Sequence, residues 1–164
     1  MSIPQQTIDW LLDSDPAIRW QVRKDLLDAR ESVVNQERNK VAQTGWGKIV
    51  LDAQDDDGRW NGSLYNGKWV STTYALYLLK LLGVQPGNKQ AHKGCQQVWD
   101  GGLYQGQEIR FSRNHAVRDL GVTALTITNV CCFEYPAKEI NDVVDFLVQQ
   151  QKPDGCWFTN DEAY

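Results

Sequence analysis

The sequence predicts an all-α fold, and three observations carry that expectation. Apolar residues recur at helical spacing along most of the 164 residues. Capping residues punctuate those stretches. No alternation of apolar and polar residues runs long enough to make a useful strand.

Each element follows in order. Residues 4–13 predict a short amphipathic helix with Ile8, Leu11 and Leu12 on one face. Asp15 reads as an N-cap and Pro16 as the first helical residue of a helix over 16–29. That helix spaces Ile18, Val22, Leu26 and Leu27 for one face. A polar helix over 31–43 and a shorter one over 46–53 come next. Ser71-Thr72-Thr73 caps an apolar helix over 71–82, which stops at Gly83, a residue suited to a left-handed C-terminal cap. Helices over 88–98, 117–133 and 137–150 complete the set.

Between these helices a turn motif recurs. Gln54-Asp55-Asp56-Asp57-Gly58-Arg59-Trp60 fits Q-x-x-D-G-x-W, and Gln151-Lys152-Pro153-Asp154-Gly155-Cys156-Trp157 fits it again. Gln97-Val98-Trp99-Asp100-Gly101-Gly102-Leu103 fits it with Leu for Trp. The copies start 43 and 54 residues apart, a period typical of stacked helical hairpins. In each copy a helix should end at Gln, Asp-Gly should make the turn, and the aromatic residue should plug back between helices. Gln54, Asp57, Gly58, Trp60, Gln97, Asp100, Gly101, Gln151, Asp154, Gly155 and Trp157 are therefore expected to be structural residues.

Composition removes several classes. The net charge of −4 is mild and mixed along the chain, without the clustered basic face of a nucleic-acid binder. No apolar run of about 18 residues offers a membrane span. The first ten residues lack the charged and apolar regions of a signal peptide. Cys95, Cys131, Cys132 and Cys156 follow no disulfide or CxxC spacing, so reduced thiols in a cytoplasm are the simpler reading. Seven tryptophans are read as packing residues.

The motif Q-x-x-D-G-x-W, followed by Ser71-Thr72-Thr73-Tyr74-Ala75-Leu76-Tyr77-Leu78-Leu79, resembles the repeat of squalene–hopene cyclases and protein prenyltransferase β subunits. The likeness covers about residues 46–164, and the opening TIDWLLDSDPAIRWQVRKDLL is similar to the start of bacterial proteins of the same type. The resemblance implies one α/α-toroid domain over 1–164, with a helical extension over 1–45 and three repeats over 46–164. It implies concentric helix layers whose inner helices line a cavity for isoprenoid or other apolar chains. The third motif hands over to no inner helix before Tyr164, so the domain is expected to be incomplete, either completed by further repeats or covered in a homo-oligomer.

Asp55-Asp56-Asp57 invites comparison with the acid motif of terpene cyclases, yet Asp57 already serves the turn, and the run reads as solvated. The resemblance also raises the zinc site of prenyltransferases, but the Asp, Cys and His spacing is missing, and His92 with Cys95 is a lone pair. No metal or cofactor is expected. Glu108, Arg110, Arg113, His115, Arg118 and Asp119 form a polar cluster leading into an apolar helix. His115 and Asp119 are the candidate catalytic residues. Arg110 and Arg113 are candidates to grip an anionic head group, against the simpler reading of a solvated loop in which Asp119 caps a helix. Tyr74 and Tyr77, with Tyr65 and Trp69, are candidates to line an aromatic cavity, against plain core packing. Two functions follow. One is a binding module that holds an apolar ligand or partner helix without catalysis. The other is an isoprenoid-handling enzyme, or part of one.

Overall fold

The computed structural model describes residues 3–111 and 119–157, and these are mostly helical. Among the described residues eight α-helices follow in order: α1 (Gln5–Leu12), α2 (Pro16–Asp25), α3 (Glu31–Arg38), α4 (Gly45–Asp52), α5 (Thr72–Leu82), α6 (Lys89–Gly102), α7 (Leu120–Cys132) and α8 (Ile140–Gln149). A single 3-10 turn, Lys68–Val70, precedes α5. A two-residue hairpin that the sequence did not suggest, β1 (Leu103–Tyr104) with β2 (Glu108–Ile109), links α6 to α7. No helix among the described residues is long and apolar enough to cross a membrane.

The caps explain several boundaries. Asp15 Oδ1 accepts from the Ala17 N–H, and its Oδ2 accepts from the Trp46 N–H, so one carboxylate starts α2 and pins α4 to it. The helix expected over 16–29 stops at Asp25, because the Leu27 and Ala29 N–H groups turn back to Val22 and Arg23 while Asp28 takes a φ of 46°. Leu26 and Leu27 are therefore exposed. The helix expected over 31–43 stops at Arg38 and continues as turns. Ser71 sits at the N-cap of α5, but its hydroxyl makes no capping bond.

α5 packs against α4, α6 and α7, and α7 packs against α5, α6 and α8. Buried Asn129 on α7 donates from Nδ2 to the Thr73 carbonyl at the start of α5, joining these two helices directly. The carbonyls at the C-terminal end of α5 are met by side chains from α2 and α3. Trp20 Nε1 donates to Leu82 O at 2.8 Å and Arg38 Nε to Gly83 O at 2.7 Å. Gly83 has a φ of 94°, and a Cβ there would fall 2.5 Å from the Trp20 ring, so conformation and space both require glycine.

The motif copies at 54 and 151 fold as turns with matching bonds. In the first, Gln54 Nε2 donates to Gly58 O, the Arg59 N–H to Asp57 Oδ1, and Trp60 Nε1 to Val50 O. In the third, Gln151 Nε2 donates to Gly155 O, the Cys156 N–H to Asp154 Oδ1, and Trp157 Nε1 to Leu147 O. The middle copy is a correction. Gln97, Asp100 and Gly101 lie inside α6 and make no turn. Val98 and Trp99 fill the two free motif positions, and they extend the buried stripe of Ala91, Gly94 and Cys95, so burial carries the helix through to Gly102.

The turn between those two lies six residues later. Leu103 pairs with Ile109 as Gln54 pairs with Trp60. The Gln107 N–H donates to Tyr104 O as the Gly58 N–H does to Asp55 O. Turns starting at 54, 103 and 151 are 49 and 48 residues apart, more even than the sequence motifs. A threonine completes the first two: the Trp60 N–H donates to Thr72 Oγ1 at 3.0 Å, and the Ile109 N–H to Thr123 Oγ1 at 3.1 Å.

Candidate functional site

Helices α5 and α7 bear the most apolar sequences in the chain. α7 contains no charged residue in LGVTALTITNVCC, and α5 contains only Lys80. Their buried positions are those facing the core: Leu76 and Leu79 on α5, Val122, Thr126 and Val130 on α7. Their exposed positions are also uncharged. Leu78 and Leu81 on α5 and Gly121, Ala124, Thr128 and Cys131 on α7 face outward. A surface helix ordinarily puts charge on its outer side, so two neighbouring helices without it are unusual.

An aromatic cluster lies beside the start of α5. Tyr65 stacks on Phe111 with centroids 5.6 Å apart and meets Tyr74 at 5.7 Å, while Trp69 meets Tyr74 edge-on at 5.0 Å. Trp69 is 77% exposed, so the cluster runs from core to surface. Hydrogen bonding with Tyr74, then burial, then the Tyr74 and Asp119 charges push the Tyr65 phenol up to about 12. Of the four aromatic residues proposed from sequence, three meet here. Tyr77 stands apart, with the Lys80 ammonium 5.4 Å from its ring centroid. Phe111 was missed because nothing in its spacing marks it.

The polar cluster is divided. Asp119 Oδ1 accepts from the Val122 N–H and caps α7. Arg110 Nη2 lies 2.6 Å from Glu108 Oε1, both side chains largely buried, and its guanidinium covers the Tyr104 ring at 4.3 Å. That pair is set into the hairpin, which departs from the solvated loop expected for it. Arg113, His115 and Arg118 lie outside the described residues.

Other sequence candidates have defined places. Asp55, Asp56 and Asp57 are exposed, and Asp55 Oδ2 accepts from the Gly62 N–H. With its hydrogen on Nε2, His92 donates to the Phe133 carbonyl at 2.6 Å, with the Pro86 carbonyl at 3.0 Å. Cys95 is fully buried, and burial followed by the Cys132 charge pushes its thiol up to about 12. An open acidic cleft separates the β1–β2 turn from α8, lined by Gln105, Gln107, Glu139, Asp142 and Asp145.

No family model matches the chain, and no curated protein matches it.

Proposed function

We propose that this chain is a binding scaffold of the α/α-toroid type, similar to squalene-cyclase-like proteins, which holds an apolar ligand on the outward faces of α5 and α7. One observation carries the reading: the exposed positions of these two contacting helices hold Leu78, Leu81, Gly121, Ala124, Thr128 and Cys131, with no charge among them. Such a surface favours apolar contact at about 25 cal/mol per Å² removed from water. Small residues on α7 leave room for a chain to lie against the helix, and the leucines of α5 supply contact area. The turns at 54, 103 and 151 support the toroid part of the reading, since even spacing and shared bonds are what stacked hairpins require. The ligand class is an isoprenoid-like or similar hydrocarbon chain. The aromatic cluster around Tyr74 stands at one end of this face, where ring faces suit an unsaturated chain.

Native mass spectrometry of protein purified from cells tests the reading. A retained apolar molecule is expected, and it should be lost in the Leu78→Asp, Leu81→Asp double variant. These positions are already exposed, so the variant should fold. Wild-type protein that carries no such molecule and binds a hydrophobic dye no better than the double variant would refute it. If the face is instead covered by a second copy, sedimentation at micromolar concentration will show a dimer that the double variant does not form.

A further inference from the structure

Val148 on α8 and Trp157 in the third turn correspond to Leu51 and Trp60, which the chain covers elsewhere. The bonds from Gln54 and Trp60 recur from Gln151 and Trp157, which makes Leu147 the counterpart of Val50 and Val148 the counterpart of Leu51. The two sets differ sharply in exposure. Leu51 is 2% exposed and Val148 60%, while Trp60 is 3% exposed and Trp157 46%.

The covering of the first face is specific. α5 and α6 lie on it. Thr72, at the start of α5, takes the Trp60 N–H. On α6, Gly94 has no side chain where the Trp60 ring sits, and a Cβ there would come within 2.7 Å of Cζ3. Gln54 Nε2 donates to the Gln90 carbonyl of α6, and Gln90 Nε2 returns a bond to Leu51 O. On the α8 face, Gln151 and Trp157 make their local bonds, and the apolar side chains Val144, Val148 and Trp157 are exposed.

We infer that the face of Val144, Val148 and Trp157 is a docking site for one further helical hairpin of the α5–α6 kind. Its first helix would open with a threonine whose hydroxyl takes the Trp157 N–H. Its second would carry a glycine over the indole ring, a backbone carbonyl that accepts from Gln151 Nε2, and at that same residue an amide side chain that donates to the Val148 carbonyl. A flat apolar partner does not meet these conditions, because Trp157 needs a gap in the opposing helix as Trp60 does. The inference is independent of the ligand reading above. It uses the α8 edge and the recurring turn, and it stands whether or not α5 and α7 hold an apolar molecule.

The test is a chain in which residues 61–102 are repeated directly after Trp157. Acrylamide quenching of Trp157 is read as the difference between this chain and its Trp157→Phe variant, and Trp60 is read likewise through Trp60→Phe. Quenching of Trp157 should fall to the Trp60 level, with added helical circular dichroism. A mismatched extension, carrying Thr72→Val and Gly94→Leu in the repeated segment alone, should leave Trp157 accessible. The proposal is overturned if the matched extension leaves Trp157 accessible, folded or not, or if the mismatched one protects it equally. It is also overturned if the unextended chain already protects Trp157 as concentration rises and Val148→Asp abolishes that protection, since a second copy would then be the occupant.

Discussion

The turns at 54–60 and 151–157 share their Gln, Asp, Gly and Trp and the same local hydrogen bonds, yet one tryptophan is core and the other is surface. The motif therefore specifies the shape of the turn, and the neighbouring hairpin decides whether its tryptophan is buried. A Q-x-x-D-G-x-W match predicts a bent chain whose indole reaches back to a helix carbonyl. It does not predict stabilisation, because that comes from the apolar area that α5 and α6 remove from water.

The largest difference should appear on truncating the two rings. Trp60→Ala should cost about 3–5 kcal/mol, the range for emptying a buried aromatic site. Trp157→Ala should cost under about 1 kcal/mol, as expected for an exposed position. Urea denaturation of both variants measures the gap, and equal losses would break the comparison.

Overpacking sharpens it. Gly94→Ala brings a methyl against the Trp60 ring and Leu76, and should destabilise by about 1–3 kcal/mol. Removing the hydroxyl that serves the turn is a smaller change. Thr72→Val leaves the Trp60 N–H without its acceptor, and Thr123→Val does the same to Ile109, for about 1–2 kcal/mol each. Similar losses in the two would show that the hairpin at 103–109 works as the first turn does, although its sequence shares little with the motif. A loss at Thr72 alone would separate them.

Thiol chemistry gives the mildest contrast. Cys131 and Cys156 are exposed and should react with a disulfide reagent in the native protein, Cys132 more slowly, and Cys95 only on unfolding. The native state holds the Cys95 proton more tightly than the unfolded chain does, so its contribution to stability is complete below pH 9 and declines as pH rises towards 12. Tyr65 adds a decline of the same sign above pH 10. Thermal melts across that alkaline range should fall, and a flat profile would contradict both shifts.

Much of the fold was legible from local signals. Asp15-Pro16 marked the start of α2, Gly83 the end of α5, and the Leu-rich segment α5 itself, because caps and periodicity act over a few residues. The middle turn was not. Asp100-Gly101 has the letters of a turn, but Val98 and Trp99 gain more from staying helical in the core. The true turn at Tyr104-Gln105-Gly106-Gln107 offered only Gly106 and an even spacing as signals. The candidate site was legible in part. Tyr65, Trp69 and Tyr74 were named and do meet, but Phe111 and the separation of Tyr77 depend on tertiary packing that no spacing encodes. The burial of Glu108 with Arg110 likewise comes from the hairpin, which the sequence did not announce.

Hydrogen exchange at the two indole N–H groups, followed by NMR, tests the central comparison most directly. Both donate to a helix carbonyl four residues ahead of the motif Gln, Trp60 to Val50 at 2.6 Å and Trp157 to Leu147 at 2.7 Å. The Trp60 N–H should exchange only through global unfolding, and the Trp157 N–H through local opening, at a rate that does not track global stability. Equal protection of the two would show that the same turn brings the same stability in both places, and would contradict the account.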